Sequence, residues 1–96
     1  MLNQQKGKKQ TTEDIEKAAN DDELKRERQF VLDAMIVKIM KTRKQLNHIQ
    51  LVTETIQMIK MFRAQPAMIK QRIEALIERE YLERDEDDRT LYRYLP

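Results

Sequence analysis

The chain has 96 residues, 38% charged and 40% apolar, with 19 Lys or Arg against 17 Asp or Glu and a net charge of +2. That length holds one small domain with a modest core, which argues against an enzyme that needs a deep pocket. With no cysteine, disulfides, thiolate metal sites and thioester-forming nucleophiles are excluded, a composition that suits a reducing cytoplasm or nucleus.

Residues 1–24 hold the only glycine, Gly7, amid Gln, Lys, Asn, Thr and Asp. So few large apolar groups cannot offset the entropy of ordering, and the segment is expected to be flexible. Thr11 or Thr12 is placed to cap a short acidic helix through Glu13–Glu16. Asp21-Asp22 then predicts the start of a longer helix ending at Arg43 or Lys44, acids at its positive end and cations at its negative one. No apolar run approaches the ~20 residues that span a bilayer, and no apolar signal stretch opens the chain, so no membrane partner is expected.

Gln45–His48 reads as a turn or very short strand, with Asn47 a suitable cap for a second helix. Ile49, Val52, Ile56 and Ile59 keep the spacing of one buried stripe, continuing to about Met61. A third helix begins at Pro66 and runs to about Glu80, burying Ile69, Ile73, Leu76 and Ile77. Lys70, Gln71, Glu74, Glu78 and Arg79 stay outside. Tyr81–Arg84 and Thr90–Leu95 then change to strand character around the charged span Asp85–Arg89, which predicts a hairpin. Three helices followed by a small β-hairpin describe a mainly α, winged-helix domain over residues 25–96.

Charge divides along the chain. Residues 38–72 carry eight Lys or Arg against one acid, Glu54, whereas residues 73–96 carry four basic and eight acidic side chains. Acidic surfaces on partner proteins complement the first part. A nucleic-acid reading places Lys70, Arg72 and Arg79 of the third helix on phosphates, with Lys60 and Arg63 nearby. Against it stand Asp85–Asp88 on the wing and Glu74 and Glu78 on the helix, which meet phosphate with like charge. His48, the only histidine, gives no basis for a metal site or a catalytic triad and flanks the second helix. The acidic wing lacks the spaced pattern and glycine of a calcium loop, so no metal or cofactor is expected. The methionines read as core fillers, Met61 excepted.

The run Met35–Lys44 concentrates the chemistry. At about 100° per residue, Leu32, Ile36, Ile39 and Met40 gather on one side of the first helix. Lys38, Lys41 and Lys44 form an i, i+3, i+6 row on another. Phe30, Ala34 and Val37 fall beside Lys41, whose amine then projects from a partly apolar patch able to dock a modifying enzyme. The same pattern also fits a central helix whose lysines snorkel to water.

Ile36-Val37-Lys38-Ile39-Met40-Lys41-Thr42-Arg43-Lys44 resembles a signature near the C-terminus of cullins, Ile-Val-Arg-Ile-Met-Lys-x-Arg-Lys. Further blocks are similar in order: His48, Leu51-Val52 and Glu54; Met68 to Glu74; Leu76 to Arg84; and Leu91-Tyr92-Arg93-Tyr94. The resemblance covers residues 27–95. Lys38 departs from the usual arginine and adds a second acceptor candidate. Ile59–Pro66 departs from the family's aromatic-x-Pro pattern, and Leu95-Pro96 from its terminal alanine.

The resemblance implies the C-terminal domain of a cullin, the scaffold subunit of multisubunit RING-type ubiquitin ligases, found in cytoplasm and nucleus and not itself catalytic. It implies Lys41 as the acceptor of a ubiquitin-like modifier through an isopeptide bond, with Lys38 the lesser candidate. Phe30, Ala34, Val37 and Lys44 are then docking residues. The implied partners are a RING-box protein, the covalently attached modifier, a neddylation conjugating enzyme and a deneddylase complex. Two alternatives stay open: a winged-helix nucleic-acid binder, and a cullin-like docking domain that is never modified.

Overall fold

The computed structural model describes the backbone of residues 12–96 and the side chains from Asp22 onward. The cap expected at Thr11, with the rest of segment 1–11, lies outside these residues. Helix α1 runs from Thr12 to Arg43, ten residues earlier than the start predicted at Asp21-Asp22. Nothing between those ends is Gly or Pro, and the Glu, Lys and Ala of its first turns favour helix, so two aspartates in mid-helix do not interrupt it. Side chains Asp22–Glu27 are exposed, and the first fully buried one is Leu32.

Strand β1 (Gln45–Asn47), α2 (His48–Met58), α3 (Pro66–Glu78), β2 (Leu82–Arg84) and β3 (Leu91–Tyr94) follow. The helix ends without glycine are notable. Lys44 closes α1 at φ 73° and Glu80 closes α3 at φ 65°. At the second site the N–H of Tyr81 donates to Leu76 O and that of Glu80 to Ile77 O, the paired bonds that finish a helix through a left-handed residue.

The expected hairpin is present but incomplete as a description. β3 lies between β1 and β2 in an antiparallel sheet, with Leu46 opposite Tyr92 on one side and Arg84 opposite Tyr92 on the other. The wing turn is built by two aspartates. Asp85 Oδ2 accepts the N–H groups of Asp87 and Asp88 at 2.9 and 2.7 Å, and Asp88 Oδ1 accepts the N–H and hydroxyl of Thr90 at 3.0 and 2.6 Å.

The core collects Leu32, Ile36, Ile39 and Met40 of α1, Leu51 of α2, Ile69, Ile73 and Leu76 of α3, and Leu82 and Tyr92 of the sheet. The faces predicted for α1 and α3 are the buried ones. That predicted for α2 is half right: Ile59 is buried and Val52 half-buried against the core, but Ile49 and Ile56 are 75% and 39% exposed, whereas Leu51 and Thr55 are fully buried. Thr55 fits because its hydroxyl donates to Leu51 O at 2.7 Å, which satisfies the one polar group that burial would orphan. α2 also stops at Met58, and Met58 joins Met61 among the exposed side chains rather than the core.

Candidate functional site

Lys41 stands in the last turn of α1 with its side chain exposed. The helix is held there from below, since Ile36, Ile39 and Met40 are buried, and its C-terminus is fixed by the Lys44 N–H on Met40 O at 2.7 Å. Phe30, Ala34 and Val37 precede Lys41 at i−11, i−7 and i−4, one stripe of an α-helix. Phe30 is 74% exposed, Ala34 is exposed and Val37 half-buried.

These three line a hollow of about 320 Å³ whose other wall is Leu76, Arg79 and Tyr81, with Asp33 beside them. Sequence periodicity missed that wall. Tyr81 looks like the first residue of a strand, and only the reversal at Glu80 turns it back toward α1. The Arg79 guanidinium lies 5.1 Å from the Tyr81 ring centre, which props the aromatic lip by cation–π attraction. Lys41 is not a lining residue; it stands one helical turn beyond Val37.

The other predicted site residues separate from this stripe. Lys38 is exposed and borders a different hollow with Ile39, Thr42, Arg43, Glu54 and Met58. Lys44 does not continue the lysine row, because the helix ends at Arg43 and the left-handed Lys44 directs the chain into β1. Its ammonium lies 5.4 Å from the Tyr94 ring centre.

The basic half of the chain is less available than its composition implied. Arg72, assigned by sequence to a phosphate-facing row, turns inward: its Nε and Nη2 donate to Asp33 Oδ1 and Oδ2 at 2.7 and 2.8 Å. That bidentate bond raises the Arg72 pKa, against the smaller opposing effect of burial. Arg43 pairs with Glu54 at 3.2 Å. Lys38, Lys41, Lys60, Arg63 and Lys70 remain exposed with no acidic partner among the described residues.

Two wing carboxyl groups titrate low. The Asp85 pKa is lowered first by the hydrogen bond from Arg93 and then by backbone N–H groups, and that of Asp88 by the Thr90 hydroxyl and N–H. Arg93 bridges Asp85 and Glu83, which raises its own pKa. Burial raises the pKa of Tyr92, whose hydroxyl shares a 2.9 Å hydrogen bond with His48 Nδ1. Among the described residues no three His, Cys, Asp or Glu side chains gather to hold a metal, and no described helix is long and apolar enough to cross a membrane.

Three helices closed by a small antiparallel sheet, with an accessible lysine where the first helix ends, define a winged-helix domain. The sequence matches the cullin protein neddylation domain over residues 27–88. The chain belongs to that family. It is 46% identical over 89 residues to Cullin-1 of Oryza sativa subsp. japonica, covering 92% of this chain and 11% of the relative. It is 53% identical over 70 residues to Cullin-3 of Caenorhabditis elegans, covering 72% and 9%. The chain therefore spans about a tenth of the length of these relatives. A solved structure described as Dcn1(P)-Cdc53(WHB), from "A Dual E3 Mechanism for Rub1 Ligation to Cdc53", superposes with a TM-score of 0.77 at 38% identity, covering 94% of this chain and all of that one.

Proposed function

We propose that this domain serves a cullin scaffold of a multisubunit RING-type ubiquitin ligase, in cytoplasm and nucleus, and that Lys41 accepts a ubiquitin-like modifier. The observation that carries the reading is the placement of Lys41: exposed, in the last turn of a helix anchored by buried Ile36, Ile39 and Met40, beyond an apolar stripe. An acceptor amine must be reachable yet held, because a fixed approach removes orientational entropy from the transfer step. Its ε-amine, once deprotonated, attacks the activated C-terminal carbonyl of the modifier. An isopeptide bond forms and the conjugating enzyme's group leaves.

The domain supplies the nucleophile and its position, and catalytic groups come from elsewhere. A RING-box protein and a neddylation conjugating enzyme are the partners this reading requires, with a deneddylase complex for reversal. The hollow of Phe30, Ala34, Val37, Leu76 and Tyr81 gives an apolar contact beside the acceptor. A bulky adduct on Lys41 would then prevent the domain from packing back on neighbouring scaffold domains, shifting the population toward a released RING.

The test is a reconstituted neddylation reaction, read by intact mass and fragmentation, with the RING-box protein bound to the scaffold that carries this domain. One modifier on Lys41 is expected. Lys41→Arg keeps the charge but not the nucleophile, since guanidinium stays protonated, and modification should vanish or move to Lys38. Equal modification of the variant and the wild type, with Lys41 untouched in the wild type, overturns the assignment, and no modification of either leaves a docking domain that is not modified.

A further inference from the structure

We propose that the hollow between α2, α3 and the wing binds an acidic peptide segment that carries an aliphatic side chain beside its carboxylates. The hollow measures about 430 Å³ and is lined by His48 and Ile49 of α2, Lys70 of α3, Arg84 and Arg89 of the wing, and Tyr92 of β3, among others. None of its lining residues is acidic. Three cationic side chains from α3 and the wing, Lys70, Arg84 and Arg89, therefore line one concavity, Arg84 already matched by Glu74 and the other two unmatched, which favours an anion there.

The arrangement is built rather than incidental to surface lysines. Arg84 is fixed three ways: it pairs with Glu74, donates to Arg89 O at 2.9 Å and lies 5.3 Å from the Tyr92 ring centre. That grip on the Arg89 backbone sets where the wing cation emerges. His48 is oriented edge-on against Tyr92 by the 2.9 Å bond to its hydroxyl. Lys70 and Arg89 are exposed and have no acidic partner among the described residues, so their charges are free to be matched.

Ile49 decides the ligand class. It lies on the same wall, 75% exposed, and contributes nothing to the core. A phosphodiester backbone would meet the cations and leave this side chain in water. A peptide with Leu or Ile next to Asp or Glu would use both. The hollow shares no lining residue with the one beside the Lys41 stripe, so this surface is independent of the acceptor reading.

The experiment is an amide NMR titration of the 96-residue protein with the peptide acetyl-Glu-Asp-Leu-Asp-Glu-amide. Its carboxamide counterpart, a Leu→Ala version, inorganic phosphate and a short duplex DNA are titrated in parallel. Shifts confined to residues 47–50, Lys70 and residues 84–92 are expected, with binding lost in the carboxamide peptide and weakened in the Leu→Ala one. The double variant Lys70→Glu, Arg89→Glu should weaken the acidic peptide about tenfold. Three outcomes overturn the proposal: shifts scattered over all exposed lysines, equal binding of the carboxamide peptide, or tighter binding of phosphate or duplex at the same residues. The peptide comparisons use wild-type protein, so a misfolded variant does not remove the test.

Discussion

Arg72 of α3 and Asp33 of α1 meet in a planar, two-bond ion pair at 2.7 and 2.8 Å, each side chain only 19% exposed. Both residues lie next in sequence to core positions, Leu32 and Ile73, so the pair fixes how the two helices cross. Removing one partner leaves a half-buried charge without its hydrogen bonds. Arg72→Ala or Asp33→Ala should therefore cost about 1–3 kcal/mol, between the values of surface and fully buried pairs. Chemical denaturation of both singles and the double variant measures this. The double should be less destabilised than the sum of the singles, because the two losses share one interaction; strict additivity would show that the pair is not coupled.

Core truncation should rank far above change in the wing. Ile73 is fully buried and Leu76 1% exposed, at the centre of the three-helix packing. Replacing either with alanine removes transfer energy and leaves a cavity, about 2–5 kcal/mol, a large fraction of a small domain's stability. Asp87 is exposed and contributes a backbone N–H, not its side chain, to the wing turn. Asp87→Ala should fall within about 0.5 kcal/mol of wild type. Urea midpoints at constant slope decide the order, and the reverse order would mean the α3 face is misassigned.

That ranking rests on a helix whose inner face was readable from spacing alone, whereas that of α2 was readable only in part. Ile69, Ile73 and Leu76 announce themselves by hydrophobicity and period. On α2 the inward face uses Thr55, whose polarity is hidden by a hydrogen bond to its own helix, while Ile49 and Ile56 face out. Periodicity follows apolar residues, so it finds Ile59 and Val52 but counts in Ile49 and Ile56 and passes over Thr55. The pairing of β1 with β3 joins residues more than forty positions apart, and the left-handed Lys44 breaks the lysine row without any glycine to signal it. The partners of Arg72, Tyr81 and Arg84 were equally out of reach, because each is chosen by the fold and not by its sequence neighbours.

The wing should loosen in acid before the helices do. Asp85 is held ionised by Arg93 and backbone N–H groups, and Asp88 by Thr90, so both pKa values lie below the ordinary aspartate value of about 3.9. A carboxyl group whose folded pKa is lowered contributes stability above the unfolded value and loses it as pH falls through the folded one. Amide signals of Asp87, Asp88 and Thr90 should therefore hold steady down to about pH 4 and change below it. Asp85→Asn keeps an acceptor oxygen but not the charge facing Arg93, and it should flatten this dependence. An unchanged acid response in that variant would remove Asp85 from the account.

Duplex DNA should bind weakly and lose affinity steeply with salt. Of the cations that a winged helix could offer to phosphate, Arg72 is committed to Asp33 and Arg79 is stacked on Tyr81. Lys60, Arg63, Lys70 and Arg89 remain, in company with exposed Glu74, Glu78, Glu86 and Asp87. Few phosphates can be neutralised, so few counterions are released and the affinity should be that of nonspecific contact, about 10⁻⁴ to 10⁻⁶ M. Fluorescence anisotropy at two salt concentrations and with two unrelated sequences checks this. Sequence-selective binding that persists at physiological salt, and is lost in Lys70→Glu, would require the third helix to enter a groove despite its acids and would return the domain to the nucleic-acid binders.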